Sequence, residues 1–178
     1  MIDLQTLTIS YGKKVLVDSV NAEFAPGTVY GLVAPNGHGK TTLLRAMAGL
    51  PGPRVDGSIV LDEVQGTGAR EVRSMIFYAP GEGTLLYPGL RAEDHLKMVC
   101  DMWPHARDIE EIVEQTQIGE FAKMRTRTLS QGMKQQLTLA IAYATGARYL
   151  LLDEPMNALD PSRVDLHSEI LRKRSLIP

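Results

Sequence analysis

The chain has 178 residues, a length that predicts one domain with room for a small inserted lobe. Its net charge of −2 argues against the basic surface of a nucleic-acid-binding protein, so we expect no nucleic-acid partner. The single cysteine excludes an internal disulfide, and the four histidines show no metal-ligand spacing.

The first residues, Met1–Thr6, lack the basic stretch and apolar core of a signal peptide. No segment approaches the run of about 18 apolar residues that spans a membrane. We therefore expect a soluble chain. If the protein serves a membrane, another chain must supply the spanning helices.

Short apolar runs between turn signals predict strands in the first half of the chain. The runs are Ile2–Leu4, Leu7–Ile9, Val15–Val17, Ala22–Phe24, Thr28–Val33, Ser58–Leu61 and Met75–Tyr78. Turns are predicted at Tyr11-Gly12 and Pro26-Gly27. Apolar residues at helical spacing predict a helix over Thr41–Leu50.

From about residue 85 the pattern becomes helical, which predicts a helical lobe inserted at about residues 84–130. Its helices are expected over Ala92–Met102 and Asp108–Gln117, separated by Pro104. Beyond the lobe, the expected elements are a long helix from Ser130 to about Ala144, a central parallel strand over Tyr149–Leu152, and a helix from about Ser162.

A glycine-rich loop lies between a predicted strand and a predicted helix, where backbone N–H groups and the helix N-terminus can hold phosphate. Its nine candidate nucleotide-binding residues are Ala34, Pro35, Asn36, Gly37, His38, Gly39, Lys40, Thr41 and Thr42. Lys40 would pair with the β- and γ-phosphates, and the Thr41 hydroxyl would bind Mg²⁺.

Two residues of this loop allow more than one interpretation. Ala34 stands where the standard pattern begins with glycine; it costs on the order of 1 kcal/mol if the backbone needs a positive φ and almost nothing otherwise. His38 could be read as catalytic, but a solvent-facing loop histidine is the simpler interpretation. The alternative for the whole segment is a glycine-rich turn with a chance Gly-Lys-Thr.

Two carboxylates, Asp153 and Glu154, follow the apolar run Tyr149–Leu152. In a parallel α/β sheet the carboxyl ends of the strands form the ligand crevice. Asp153 is thus a candidate Mg²⁺ ligand, and Glu154 a candidate base that polarises the attacking water. Acidic residues also end strands because loops are polar, so this signal gains its strength from the phosphate loop upstream.

Together these motifs resemble those of the ABC ATPase family. The segment Thr128-Leu129-Ser130-Gln131-Gly132-Met133-Lys134-Gln135-Gln136 is similar to the family's signature motif, in the version of exporters of antibiotics, peptides and polysaccharides. The resemblance implies that Ser130 and Gly132 meet the γ-phosphate held by the other subunit of a head-to-tail dimer. Ser130 can also cap the helix that follows.

The resemblance to the family has two further matches and two departures. Tyr11 resembles the aromatic residue that stacks on adenine, and Asn157–Asp160 resembles the dimer-contact loop. Gly81 occupies the position of a glutamine that senses Mg²⁺ and the membrane partner, unless Glu82 substitutes for it. The switch histidine would lie beyond residue 178, and His167 comes too early to be that residue.

The resemblance implies an α/β fold of the P-loop NTPase type: a mostly parallel core sheet with flanking helices, an antiparallel N-terminal β lobe and an inserted α-helical lobe. It implies a single ABC ATPase domain over residues 1–178 whose C-terminal part is missing. The implied catalytic residues are Lys40 and Glu154, with ATP and Mg²⁺ as cofactors.

The function so implied is ATP hydrolysis that powers export through a separate membrane-spanning subunit. The ATPase subunits would form a homo- or heterodimer on the cytoplasmic face of the membrane. Two alternatives stay open: a soluble non-transport ABC ATPase, and a hydrolysis-deficient or truncated regulatory subunit.

Overall fold

The computed structural model describes residues 1–65, 74–81 and 84–175. In chain order its elements are β1 (Ile2–Tyr11), β2 (Lys14–Phe24), α1 (Lys40–Met47), β3 (Arg54–Leu61), β4 (Val64–Gln65), β5 (Ile76–Ala79), α2 (Ala92–Met102), α3 (Ile109–Thr116), α4 (Gln131–Ala144), β6 (Tyr149–Leu152) and α5 (Pro161–Ser175). The chain divides into two compact units, Met1–Met75 with Arg172–Pro178, and Ile76–Leu171.

The first unit contains a four-stranded antiparallel sheet with the strand order β2-β1-β3-β4. Four side chains of β1 are buried, Ile2 and Leu4 at even positions and Leu7 and Ile9 at odd positions. Strict alternation could not bury all four. The pairing of β1 with both neighbours shifts register between Leu4 and Ile9, and Thr6 takes a positive φ of 46°. A β-bulge therefore keeps one face of β1 apolar along its whole length.

Gly57 in β3 accommodates this bulge. Its φ is 95°, and a Cβ at this position would lie 2.5 Å from the carbonyl oxygen of Thr6, so any side chain would collide with backbone. The amide of Thr6 donates to Asn21 Oδ1 at 2.8 Å. Because the sheet accommodates the bulge, the four short runs predicted before residue 25 form the two long strands β1 and β2.

The strand predicted over residues 28–33 is wrong. The segment pairs with no strand in the described part of the chain, and Val33 is 94% exposed. Local contacts at the preceding turn hold it instead: the amide of Ala25 donates to the Tyr30 hydroxyl at 2.9 Å, and the rings of Phe24 and Tyr30 meet edge to face. An apolar run shows that backbone can extend, but a strand also needs a neighbour for its hydrogen bonds.

Helix α1 is shorter than the predicted helix over Thr41–Leu50. It ends at Met47, and Gly49 follows with a φ of 65°. The amide of Leu50 then bonds back to the carbonyl of Arg45 at 3.0 Å. This is the left-handed glycine ending that commonly terminates helices, and it accounts for the difference of three residues.

The second unit holds a parallel strand pair, β5 and β6, in which Ile76 is opposite Tyr149 and Ala79 is opposite Leu152. The prediction of a parallel strand over Tyr149–Leu152 is confirmed, and the strand predicted over Met75–Tyr78 is confirmed with a shift of one residue. The prediction that β6 is a central strand is not borne out by the described residues, in which β6 has β5 as its one neighbour. Sequence identifies a buried apolar strand but not how many strands flank it.

The helices predicted in the second unit are confirmed with small changes at their ends. Helix α2 has the predicted bounds, and α3 lies one residue inside them at each end because Asp108 caps it and Gln117 takes a φ of 55°. Helix α4 is buried over its last ten residues, from Gln135 to Ala144. Seven of these ten residues are hydrophobic, which is expected of a core helix, and Gln135, Gln136 and Thr138 are buried with them.

None of the helices in the described ranges has the length and apolar character that crossing a membrane requires.

His167 on α5 is buried together with Tyr143 of α4. The Tyr143 hydroxyl lies 3.3 Å from His167 Nδ1, and Nε2 has no hydrogen-bond partner among the described residues. Burial is the larger cause, and the positive charge of Arg163 the smaller, of a pKa for His167 lowered from 6.5 to about 4. His167 is therefore a neutral core residue.

This lowered pKa predicts acid sensitivity. Between pH 6.5 and about 4 the unfolded chain binds a proton that the folded chain excludes, so stability present above pH 6.5 is lost as the pH falls. We expect His167 to remove on the order of 2 to 3 kcal/mol from the free energy of unfolding between about pH 7.5 and 4.5. Urea titrations at both pH values measure it, and His167→Gln should remove this part of the pH dependence.

The matched control is His105→Gln at an exposed position, which should keep the pH dependence of the parent. Equal pH dependence of the parent and His167→Gln would contradict the assignment.

Candidate functional site

The glycine-rich loop of the first unit has the backbone that phosphate binding requires. Gly37 and Gly39 take φ values of 79° and 85°, a conformation in which a side chain is strained. Gly39 is the residue before α1, and no side chain caps that helix end. The first turn of α1 contains no acidic residue, so its positive end is not neutralised. Ala34 is not at a positive φ, so alanine there costs almost nothing.

Lys40 folds back across this loop. Its Nζ donates to the carbonyl oxygen of Ala34 at 2.6 Å and to that of Pro35 at 3.3 Å. The amide of His38 also bonds to the Pro35 carbonyl at 3.3 Å, which closes a tight turn. The ammonium group is thus held over the loop backbone. A phosphate ligand would compete with two carbonyl oxygens for it.

The other predicted residues of the loop are mostly open to solvent. Asn36, His38 and Thr41 are exposed, whereas Thr42 is partly buried. His38 Nδ1 lies 3.2 Å from the carbonyl oxygen of Asn36, a contact within the loop itself. These contacts support the interpretation of His38 as a solvent-facing loop residue.

Tyr11 ends β1 at the hairpin turn and is 61% exposed. Its hydroxyl lies near Gly52, where an added Cβ would come within 3.4 Å of it. The ring therefore presents a free face on the same unit as the phosphate loop. An exposed aromatic face is the geometry that base stacking needs.

Asp153 of the second unit directly follows β6 and is buried. Its amide donates to the carbonyl of Ala79 at 2.9 Å, and its Oδ2 accepts from the Tyr78 hydroxyl at 3.1 Å. Sequence reasoning missed Tyr78. The register pairs Tyr78 with Leu151, so Tyr78 and Asp153 share one face of the strand pair. The sequence alone does not reveal that register.

Gly81 lies against the same strand end. A Cβ on Gly81 would be 3.4 Å from the carbonyl oxygen of Asp153 and 4.0 Å from Cβ of Glu154. The position predicted to correspond to a glutamine is therefore next to both carboxylate residues. Glu82, the possible substitute, lies outside the described residues.

Glu154 is exposed and takes a φ of 47°, unusual for a residue with a side chain. Its carboxylate accepts from Asn157 Nδ2 at 2.5 Å, and its carbonyl accepts from the Asn157 amide at 3.1 Å. Asn157 was predicted to be part of a dimer-contact loop, not a partner of Glu154. Sequence separation of three residues permits this contact, but the turn that produces it was not predictable.

The start of α4 contains the two remaining predicted residues. Ser130 is the N-cap, and its hydroxyl accepts from the amide of Met133 at 3.2 Å, as predicted for a cap. Gly132 is in close contact with the loop after Glu154, because a Cβ here would lie 2.8 Å from the carbonyl oxygen of Ala158. Gln135 of the same helix donates to the carbonyl oxygen of Pro155 at 2.9 Å.

Other reactive groups do not form a competing site. Among residues 1–65, 74–81 and 84–175, no cluster of three His, Cys, Asp or Glu side chains could hold a metal ion. Burial, and then the charges of Asp101 and Asp108, raise the pKa of the Cys100 thiol, so it stays protonated. The Ser162 hydroxyl and the Arg163 amide lower the pKa of Asp160 by hydrogen bonding at the start of α5.

Most of these motifs lie within a segment that matches a known protein family. The family model described as ABC transporter matches residues 17–157. This chain belongs to the ABC transporter family. Within that family it is of the ATP-binding, ATPase type, as the resemblance of its motifs implied.

Two curated relatives illustrate the range of the similarity. The lantibiotic transport ATP-binding protein SrtF of Streptococcus pyogenes is 34% identical over 174 residues, which cover 96% of this chain and 73% of the relative. The Nod factor export ATP-binding protein I of Sinorhizobium fredii is 35% identical over 177 residues, covering 96% of this chain and 51% of the relative. The chain thus spans about half the length of the second relative.

Solved structures confirm the α/β fold class. A putative ABC transporter ATP-binding protein from Pyrococcus furiosus has a TM-score of 0.82 and 27% identity, over 97% of this chain and 86% of that chain. A dimeric ATP-binding cassette bound to ADP and Pi has a TM-score of 0.86 and 22% identity, over 99% of this chain and 83% of that chain. The second likeness supports the fold alone.

The close contact at Gly132 generates a prediction. Alanine in a helix is favoured over glycine by up to about 1 kcal/mol, so Gly132→Ala would stabilise the protein if the site were open. We expect the opposite, a loss of about 1 kcal/mol, because the added Cβ pushes on the Ala158 carbonyl. Chemical unfolding measures the loss, and amide NMR shifts should locate the disturbance at residues 157–159.

Gly89→Ala is the matched control, since a Cβ on Gly89 meets nothing within 4 Å. A stabilised Gly132→Ala protein with unchanged shifts at 157–159 would refute the contact.

Proposed function

We propose that this chain binds ATP with Mg²⁺ and hydrolyses it to power export through a separate membrane-spanning subunit. The observation that carries the proposal is the loop before α1, where Gly37 and Gly39 at positive φ precede an uncapped helix that begins with Lys40. Successive backbone N–H groups at a helix N-terminus, together with a lysine, are the donors that polyphosphate binding uses.

The proposed nucleotide contacts are assigned within each unit by itself. Ala34–Thr42 would hold the phosphates, with Lys40 paired to the β- and γ-phosphates, and Tyr11 would stack on adenine. Ser130 and Gly132 would contact the γ-phosphate held by a second ATPase subunit, in a homo- or heterodimer. The uncapped positive end of α1 supports the first role. The second role rests on the place of Ser130 and Gly132 at the N-terminal end of α4, where the helix dipole is positive.

The residues present fit Mg²⁺ as a cofactor bound together with the nucleotide. Mg²⁺ usually takes one or two protein oxygens and fills its octahedron with water and phosphate oxygens. Asp153 offers a carboxylate that Tyr78 holds in place, and Thr41 offers an exposed hydroxyl. Bound Mg²⁺ would neutralise charge on the phosphates during transfer.

Glu154 is the proposed base. Its side chain is exposed and accepts a hydrogen bond, so a water molecule can reach the carboxylate. The carboxylate would orient that water and accept its proton as the water attacks the γ-phosphate.

The direction of transport and the place of the chain follow from its relatives. Lantibiotic transport and Nod factor export are the functions named for two of them. By this likeness, the chain would act at the cytoplasmic face of the membrane, docked on the spanning subunit.

One observation favours a second candidate, a regulatory subunit that binds ATP but does not hydrolyse it. Gly81, at the position of the family's glutamine, brings no side-chain amide to the end of β6. Measuring nucleotide affinity and turnover on the same preparation separates the two functions.

The phosphate-loop role of Lys40 predicts that Lys40→Ala lowers ATP affinity at least about 100-fold. The reason is the loss of charge-assisted bonds to two phosphates while the glycines remain. Calorimetric titration with ATP and Mg²⁺ measures the affinity, and Lys97→Ala, at an exposed helical position, is the matched control. Parent-like affinity of Lys40→Ala would remove the phosphate-loop assignment.

The role of Glu154 as base predicts that Glu154→Gln keeps ATP affinity within about threefold and loses turnover by roughly 100- to 10,000-fold. The amide preserves shape but cannot accept the proton. Phosphate-release assays measure turnover, with Glu110→Gln at an exposed position as control. Turnover equal to that of the parent would assign the proton transfer to another group.

A further inference from the structure

We propose that Asn157 is a positioning residue for Glu154, and that α4 of the same chain holds the loop that carries both. The inference rests on the proposed role of Glu154 as base. It assigns to the dimer-contact loop a second task within its own subunit, the orientation of the carboxylate.

The first support is the contact between the two side chains. Asn157 Nδ2 donates to Glu154 Oε2 at 2.5 Å, a charge-assisted bond in which the amide has the proton and the carboxylate the charge. The backbone N–H of Asn157 also donates to the backbone carbonyl oxygen of Glu154 at 3.1 Å. One residue thus fixes both the backbone and the side chain of Glu154. Since Glu154 is exposed, its carboxylate would otherwise sample several rotamers.

The second support is the backbone of the loop. Glu154 and Ala158 have φ values of 47° and 63°, and both carry a Cβ. Left-handed backbone at such residues costs on the order of 1 kcal/mol each. The loop therefore keeps this conformation because contacts to the rest of the unit hold it.

The third support identifies those contacts, which come from α4. Gln135 is buried and donates from Nε2 to the Pro155 carbonyl at 2.9 Å. Gly132 leaves room for the Ala158 carbonyl, which a Cβ would approach to 2.8 Å. The helix holds the loop on both sides of Asn157. A shift of α4 would move the Asn157 side chain, and with it the orientation of Glu154.

The direct test is NMR of the full chain without nucleotide, which does not depend on turnover. In a uniformly ¹⁵N-labelled sample, the Asn157 side-chain resonances are assigned by their loss in Asn157→Ala. We expect one Nδ2 proton to be shifted downfield and slow to exchange. Glu154→Ala should return it to the position of a free amide.

Ser162→Ala is the matched control, because it removes another exposed hydrogen bond to a carboxylate, that of Asp160, from the same region. It should leave the Asn157 resonances in place. A free-amide position for both Nδ2 protons in the parent, or no change in Glu154→Ala, overturns the proposal.

Kinetics separate positioning from a structural role. Asn157→Ala should lower kcat about tenfold with unchanged ATP affinity, and Asn157→Gln, which keeps the donor, should recover part of the loss. In a Glu154→Gln background, single-turnover rates should show no further loss from Asn157→Ala, because the two residues act as one unit. Additive losses, or a loss of ATP affinity, would overturn positioning.

The two proposals fail in different ways. A parent protein that binds ATP without turnover contradicts the proposed hydrolysis, and the Nδ2 resonances then decide by themselves whether Asn157 holds Glu154. A parent that hydrolyses ATP while its Asn157 amide is free contradicts the positioning role alone.

Discussion

The burial of α4 is the constraint on which the second unit depends. Ten consecutive residues of this helix, Gln135–Ala144, are shielded from solvent, so the helix cannot rotate or slide without exposing apolar surface. Each large side chain returned to water would cost roughly 2 kcal/mol. Its N-terminal turn is fixed as a consequence, and Ser130 and Gly132 are presented in one orientation. Helix packing thus determines the orientation of the residues that we propose as γ-phosphate contacts.

Both units use left-handed backbone at their functional loops, but they obtain it differently. In the phosphate loop the conformation falls on Gly37 and Gly39, for which it costs little. In the loop after β6 it falls on Glu154 and Ala158, which have side chains. The proposed role as base requires a carboxylate at 154, which glycine lacks. The cost is offset by hydrogen bonds and by the close fit of the loop against α4.

Elements that depend on nearby residues could be predicted from the sequence. Elements that depend on contacts with residues distant in the chain could not. The bounds of α2, the Ser130 cap and the position of strand β6 follow from side-chain pattern and capping chemistry. The bulge at Thr6 was not predictable, because it depends on Gly57 about fifty residues later. The strand expected over residues 28–33 is not formed for a similar reason, because an apolar run does not provide a neighbouring strand for hydrogen bonding. Within the candidate site, residue types were predictable, but the contacts of Tyr78 and Asn157 require the register and the turn.

The two departures from the family pattern have different physical meanings. Ala34 is conformationally neutral, because its φ is not positive. Gly81 also lacks a positive φ, and a Cβ there would be in ordinary van der Waals contact with the Asp153 carbonyl. Neither backbone nor space demands glycine at 81, so its effect is chemical: a side-chain amide is removed from the end of β6.

Two carboxylate residues remain at that strand end. Asp153 is hydrogen-bonded to the Tyr78 hydroxyl through its side chain and to the Ala79 carbonyl through its backbone N–H. Glu154 is hydrogen-bonded to the side chain of Asn157. Each carboxylate therefore has a donor from its own unit that is independent of position 81. In the proposed mechanism, the orientation of both carboxylates then depends on these donors and not on a side chain at position 81. The contact between Asn157 and Glu154 is the part of the site on which an active ATPase and a regulatory subunit would differ most.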